Sequence, residues 1–224
     1  MHRFAQILPL LLVGAAAPAP RPIVLELFTS QSCSSCPPAD ALLADLAATR
    51  SDVLPLDFHV DYWNYLSWHD RFSLPEATAR QRAYAALLGS EVYTPQLVID
   101  GERQAVGSER TNVLAAIKAA RESEAGGPQA TLSARDGQWV VDIGAGNGGG
   151  TILLIGFDAQ HVTQVGSGEN AGRTLREVNV VRSLTKLGSW HGGEVHLMVP
   201  RPAGDAAALL VQAENGAILA AATS

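Results

Sequence analysis

The sequence predicts an α/β fold, a mixed sheet flanked by helices, followed by a small all-β sandwich-like domain. In the first half of the chain, continuous apolar runs alternate with segments of helical periodicity, which is typical of helices packed on a sheet. After residue 128 the chain has no long helical stripe, and short strand-like runs follow one another between Asp-Gly and Asn-Gly turns. A small polar segment, residues 123–129, has the composition of a linker between the two parts.

The first half contains seven predicted elements in the order β-α-β-α-β-β-α. The two leading strands are near-continuous apolar runs, as expected of strands buried on both faces. The last two strands form a hairpin around an Asp-Gly turn. The strands are predicted at 22–29, 53–60 and, for the hairpin, 95–107, and the helices at 37–50, 73–89 and 108–122.

Helix ends carry their own signals. Ser73 and Glu76 have the spacing of a capping box, and Gly89 is suited to close the same helix. Ser108 is the expected cap of the last helix. We therefore divide the chain into residues 20–124, an α/β domain, and residues 128–224, an all-β domain.

The amino-terminal residues, 1–19, have the layout of a secretory signal peptide. A short basic start at His2 and Arg3 precedes an apolar stretch from Phe4 to Val13 and small residues at the exit. The apolar stretch is short for a membrane-spanning helix, although a retained anchor is the alternative. We expect a secreted or periplasmic protein with no membrane span after signal removal.

Composition narrows the classes of function. The 224 residues are 47% hydrophobic and 17% charged, as in ordinary globular proteins. The formal net charge is −6 and no basic run occurs, so we expect no nucleic-acid partner.

The only two cysteines, Cys33 and Cys36, lie where the first strand ends and the first helix begins. Such a pair can be a redox couple, half of a metal site, or a short structural bridge. A bridge this short removes little chain entropy, so a purely stabilising role is the weak interpretation. Helix N-termini lower the pKa of a thiol, which favours Cys33 as an exposed attacking thiolate and Cys36 as the resolving thiol. Pro37 and Pro38 are tolerated because amides in the first helical turn have no intrahelical partner.

Thr94 and Pro95 precede the hairpin, where a cis peptide bond suits a tight entry into the sheet. Together with the cysteine pair and the element order, they make residues 22–122 resemble the thioredoxin fold. That resemblance implies that Pro95 lies against the cysteine pair. It also implies that Thr94 and Pro95 bind an extended segment of a partner protein.

Three segments also resemble a secreted bacterial thioredoxin-like family known as domain of unknown function 1223. The segments are LELFTSQSCSSCPPAD (25–40), HVDYWNYL (59–66) and GENAGRTLREVNVVRSL (168–184). This resemblance spans nearly the whole mature chain and concerns architecture more than activity. The residue types of the polar loop at 166–174 by themselves predict a turn or an inter-domain contact.

The sequence departs from ordinary thioredoxins around the cysteines. Ser32 replaces the tryptophan before the first cysteine, and Ser34-Ser35 separates the two thiols. The strand acid Glu26 is one residue farther from Cys33 than the buried aspartate of thioredoxins. Glu26 is either a proton relay or, in the favoured interpretation, a solvent-facing or hydrogen-bonded strand residue.

The connection at 59–72 is rich in aromatic residues, including Trp63. It is either an aromatic wall that binds substrate beside the cysteines or a small core under a long loop. His59 and His69 in the same connection are either structural residues or metal ligands.

These features predict an exported thiol–disulfide oxidoreductase without an organic cofactor, acting on thiols or disulfides of a partner protein. Its catalytic residues would be Cys33 and Cys36, and Thr94, Pro95 and Trp63 would bind the substrate. One alternative is a soft-metal, Cu(I)-type binding protein that uses the cysteines and His59. Another is an interaction module whose cysteines are vestigial. The sequence leaves the redox direction and the oligomeric state open.

Overall fold

The structure is a computed structural model that describes residues 20–124 and 126–224, so the predicted signal peptide lies outside the described residues. Within these residues the three helices are α1 (Pro37–Thr49), α2 (Pro75–Leu88) and α3 (Arg110–Ser123). The strands of the first half are β1 (Ile23–Thr29), β2 (Val53–His59), β3 (Gln96–Ile99) and β4 (Arg103–Val106). The later strands are β5 (Ala130–Arg135), β6 (Gln138–Ile143), β7 (Gly150–Gln164), β8 (Thr174–Trp190), β9 (Val195–Pro200), β10 (Ala206–Gln212) and β11 (Ile218–Thr223).

The strands form one large mixed sheet and one small antiparallel sheet. The large sheet has the order β11-β10-β7-β8-β2-β1-β3-β4, and the small one has the order β5-β6-β9. The two parts of the chain share the large sheet, because β8 lies parallel to β2 with Asp57 opposite Val180. The mixed α/β architecture is confirmed, whereas the domain division at residue 128 stays a prediction.

Strand β1 separates two hydrophobic cores. Its side chains alternate, so that Leu25 and Leu27 face the core under α1 and α3, while Val24 and Phe28 face the core under α2. The α2 core also contains buried residues of β7 and β10. A third core lies between the small sheet and the outer strands of the large one. Each large apolar side chain that is fully buried contributes about 1.5–3 kcal/mol to stability.

The helix ends agree only in part with the predicted signals. Gly89 caps the C-terminal end of α2 in the left-handed conformation, with φ +62°, as predicted. The capping box at Ser73 is wrong, since α2 begins at Pro75 without a side-chain cap. The Ser73 hydroxyl instead donates to the Asp70 carbonyl and accepts from the Asn64 side chain, both at 2.8 Å.

Ser108 does not cap α3 either. The helix begins at Arg110, and its N-cap residue is Glu109, which makes no capping hydrogen bond. Among the described residues, no helix combines the length and apolarity that crossing a membrane requires.

Candidate functional site

The two cysteines form a disulfide at the start of α1. Cys36 is the N-cap residue of the helix, and Pro37 and Pro38 occupy its first two positions, as predicted. The Cys36 carbonyl accepts the first helical hydrogen bonds, from the amides of Ala39 at 2.8 Å and Asp40 at 3.1 Å. The Cys33–Cys36 bridge joins Cα atoms 5.4 Å apart. The prolines therefore cost α1 no intrahelical hydrogen bond.

Neither sulfur is freely accessible. Cys33 is 2% exposed and Cys36 is fully buried, whereas Ser34 and Ser35 between them are exposed. The expectation of an exposed Cys33 is wrong. The side chain of Asn170, from the β7–β8 connection, donates to the carbonyls of Gln31 and Cys33, both at 2.9 Å.

Thr94 and Pro95 lie at the end of β1 that leads into the cysteine loop. Phe28 pairs with Gln96, so Pro95 is level with the last residue of β1. A Cβ built on Gly107 would lie 3.1 Å from the Cβ of Ala39 and 3.5 Å from the Cβ of Pro95. Pro95 therefore lies beside the first turn of α1, and the Thr94–Pro95 peptide bond is cis.

The aromatic connection after β2 joins these parts. The Trp63 indole N–H donates to the Thr94 hydroxyl at 2.9 Å, and that of Trp68 donates to the Gln31 side chain at 3.1 Å. Tyr65 stacks on Trp63 and is 78% exposed, whereas Phe72 is buried. The connection thus supplies both side chains around the cysteine loop and a small buried core. Whether Trp63, Thr94 and Pro95 bind substrate stays a prediction.

Behind the cysteine loop lies a buried group that we name the acid–histidine cluster: Asp40, Asp57, His59, Asp70 and Glu177. None is more than 6% exposed. The Nδ1 atom of His59 lies 2.7 Å from an Asp70 oxygen, and its Nε2 atom lies 3.4 Å from Asp57 and 4.0 Å from Glu177. Asp40, on α1, accepts a hydrogen bond from the Thr29 hydroxyl at 2.8 Å.

The cluster is connected directly to the cysteine loop. Asp70 accepts from the Gln31 amide at 2.8 Å, and the Gln31 side chain donates to Glu177 at 2.8 Å. Gln31 is two residues before Cys33, so the loop that holds the disulfide also covers the cluster. The carboxyl groups of Asp57, Asp70 and Glu177 therefore all lie within 4.0 Å of the His59 ring, next to the loop that holds the disulfide.

Burial and mutual repulsion govern protonation within the cluster. Burial raises the pKa of Asp40 well above its usual value, and the Asp57 carboxyl raises it further. Burial also raises the pKa of Asp57 and of Glu177. For His59, burial lowers the pKa, but the Asp70 and Asp57 carboxylates outweigh burial and hold the pKa well above its usual value. For Asp70, burial raises the pKa, but His59 and two backbone amides outweigh burial and lower it. The cluster thus pairs a charged His59 with Asp70 while its other carboxyl groups retain protons more strongly.

Comparison with known proteins decides the family. Residues 24–212 match the family described as "Protein of unknown function (DUF1223)". The chain belongs to this family. No curated protein sequence matches the chain.

Two solved structures are similar to this DUF1223 protein. One is a protein of Agrobacterium tumefaciens from a structural genomics consortium, with 30% identity and a TM-score of 0.80, covering 92% of this chain and 95% of that one. The other is HBP35 of Porphyromonas gingivalis, with 14% identity and a TM-score of 0.58, covering 91% of this chain and 74% of that one. At that identity, the second likeness shows a shared fold alone.

In this DUF1223 chain, Glu26 is hydrogen-bonded on the opposite face of the sheet from α1. It is fully buried in the α2 core, paired with Arg80, and accepts from the Tyr84 hydroxyl at 2.6 Å. Burial lowers the pKa of Arg80, but Glu26 outweighs burial and raises that pKa. Glu26 is therefore too far around the sheet to relay protons to the cysteines, and of the two interpretations the hydrogen-bonded one is correct.

The metal-ligand interpretation of the histidines has no support in the geometry. Both ring nitrogens of His59 face carboxylates, and His69 is exposed. Within residues 20–124 and 126–224, no group of three or more His, Cys, Asp or Glu side chains is arranged to hold a metal ion.

Sequence reasoning missed most of the acid–histidine cluster. Two signals were available: Asp57 and His59 are two apart on a strand, and Asp40 follows Cys36 by four residues on a helix. Glu177 had none, because its strand meets β2 only in the folded chain.

Proposed function

We propose that this protein is an exported, thioredoxin-like thiol–disulfide oxidoreductase whose reactive pair is Cys33 and Cys36. The observation that carries the proposal is the disulfide at the N-terminal end of α1, with Pro95 beside the first turn of that helix. The order of elements from β1 to α3 supports the thioredoxin-like assignment. The signal-like residues 1–19 support export.

The exchange needs only sulfur chemistry. A thiolate of a partner dithiol attacks Cys33 Sγ, the Cys33–Cys36 bond breaks, and Cys36 leaves as a thiolate. The second thiolate of the partner then attacks the mixed disulfide and releases Cys33, so that the partner is oxidised and the pair has gained two electrons. In the reverse direction, the reduced Cys33 attacks a partner disulfide, and Cys36 resolves the intermediate. No organic cofactor takes part.

Two side chains lie where they can assist the reduced forms of Cys33 and Cys36. The Ser35 hydroxyl lies 3.4 Å from Cys33 Sγ and can donate a hydrogen bond to its thiolate, which stabilises the charged form. Pro37 and Pro38 have no amide hydrogen to donate to the thiolate, which leaves the Ser35 hydroxyl as a donor beside Cys33. Asp40 is the member of the acid–histidine cluster that lies on α1, one helical turn after Cys36, and we propose that its carboxyl gives a proton to the departing Cys36 thiolate.

Partner recognition would use the surface around Pro95. An extended segment of the partner would lie across Thr94 and Pro95, and Trp63 would border it through its hydrogen bond to Thr94. Tyr65, stacked on Trp63 and largely exposed, adds apolar contact area for the same segment.

Activity assays with model substrates test the proposal. The wild-type protein should accelerate the reduction of insulin by dithiothreitol or the oxidation of reduced, unfolded ribonuclease. Cys33→Ser and Cys36→Ser should abolish that acceleration, and Asp45→Asn, a partly exposed change on α1, should not. Cys36→Ala should accumulate a mixed disulfide with the substrate that mass spectrometry assigns to Cys33. If wild type and Cys33→Ser are indistinguishable in both assays, the protein is not an oxidoreductase.

A further inference from the structure

The tip of the β7–β8 hairpin lies against the cysteine loop. We name residues 165–173 the hairpin tip. It is closed by hydrogen bonds from the Val165 amide to the Arg173 carbonyl at 3.0 Å and from the Gly172 amide to the Val165 carbonyl at 2.8 Å. Just beyond it, Thr174, Leu175 and Arg176 line a cavity of about 350 Å³ together with residues of α1. The end of the hairpin therefore lies along the same helix end that carries the disulfide.

Asn170 is the main contact between the hairpin tip and the cysteine loop. Its side chain is fully buried, and its Nδ2 atom donates to the carbonyls of both Gln31 and Cys33 at 2.9 Å. These residues are 137 and 139 positions away in sequence. Its Oδ1 atom is buried and accepts no hydrogen bond from the residues that the structure describes. A buried amide of this kind is costly unless its bonds are kept, so it favours one closed arrangement.

The Ser67–Trp68 segment completes the junction. The Ser167 hydroxyl donates to the Ser67 carbonyl, and the Ser32 hydroxyl donates to the Trp68 carbonyl, both at 2.7 Å. A Cβ at Gly168 would lie 3.3 Å from the Cβ of Trp68, so the tip packs closely on this residue. The hairpin tip, the aromatic connection and the cysteine loop are thus held together by side chains from all three segments.

We propose that Asn170 is a positioning residue that holds the hairpin tip closed over the disulfide, and that a thiol reaches Cys33 only when the tip moves away. The proposal explains why Cys33 is only 2% exposed. We call this closed arrangement of the hairpin tip the gate. Its purpose rests on the proposed function, because a partner protein would have to displace the hairpin tip before exchange. A small thiol that meets the closed protein finds neither sulfur accessible.

The rate at which dithiothreitol reduces the purified, oxidised protein tests this proposal without any partner. Asn170→Ala removes both hydrogen bonds to the cysteine loop and should raise that rate roughly tenfold, because each bond contributes to holding the tip closed. Val141→Ala is the matched control, since it also truncates a fully buried side chain but in the core of the small sheet. Dithiothreitol should reduce the Val141→Ala variant at a rate within about twofold of that of wild type.

Wild type supplies a second measurement if Asn170→Ala does not fold. Local opening of the tip exposes little surface, so the reduction rate below the unfolding transition should depend weakly on urea. A dependence as steep as that of global unfolding overturns the proposal, and so does an Asn170→Ala rate no more than about twice that of Val141→Ala. If the gate passes these tests while Cys33→Ser matches wild type in the activity assays, the gate stands and the oxidoreductase proposal fails.

Discussion

Replacing Glu26 by Gln tests the hydrogen-bonded role of the strand acid. The carboxylate is fully buried and accepts hydrogen bonds from the Arg80 guanidinium and from the Tyr84 hydroxyl. Gln keeps the shape but removes the charge, and its amide turns a donor toward the Arg80 donors. Removing one partner of a buried ion pair costs about 3–5 kcal/mol, because the other charge stays buried and unpaired. For a chain of this size that corresponds to a fall in Tm of roughly 6–20 °C.

Thermal and urea unfolding measure this loss, and the double variant Glu26→Gln with Arg80→Met provides the control. Removing both charges should recover most of the lost stability, since no unpaired charge remains. The pH dependence of Cys33 alkylation in the reduced protein should match wild type. A stability loss below about 1 kcal/mol, no recovery in the double variant, or a shifted alkylation profile would each refute the reasoning.

Two further predictions concern the surroundings of the disulfide. Because burial raises the pKa of Asp40, the contribution of this group to the free energy of unfolding falls as the pH rises above 3.8 toward the raised value. Asp40→Asn removes that loss, so the free energy of unfolding of the variant relative to wild type should grow by about 1.4 kcal/mol per pH unit in this window. Urea unfolding at several pH values measures this difference. If the free energies of unfolding of the two proteins follow parallel curves against pH, the prediction is wrong. Gly107→Ala should lower the free energy of unfolding by about 1–3 kcal/mol, since the new Cβ would lie 2.8 Å from Leu27 Cδ1. Gly193→Ala, with nothing within 4 Å, is the control, and an equal loss in both would show that the packing argument fails.

Local patterns predicted the architecture and the start of α1, but not the starts of α2 and α3. Continuous apolar runs identified β1 and β2, because strands buried on both faces need apolar residues at nearly every position. Gly89 was identified from its type alone, since a left-handed cap favours glycine. Ser73 was misassigned because its hydroxyl bonds to Asp70 and Asn64, contacts that depend on the path of the aromatic connection.

The later strands show a limit of another kind. Their apolar patterns predict strands, but not that β8 would join the sheet of the first half beside β2. A pattern along one segment specifies which face is apolar, whereas the partner strand is selected by packing between distant segments. For this reason the sequence predicted a second β structure and could not place it.

The disulfide site likewise has some features that local sequence predicts and others that only long-range packing decides. The position of Cys33 and Cys36 before an amphipathic helix, and the prolines behind them, follow from residue types and spacing within about twenty residues. Their burial does not follow from local spacing, and the hydrogen bonds that Asn170 makes to the cysteine loop come from more than 130 positions away. The protonation of the buried carboxyl groups also depends on segments that meet only in the folded chain, since Asp57, Asp70 and Glu177 all lie within 4.0 Å of the His59 ring. Local sequence thus determined where the disulfide lies, at the start of α1, and long-range packing determined which carboxyl groups gather around His59 and which of them hold their protons more strongly.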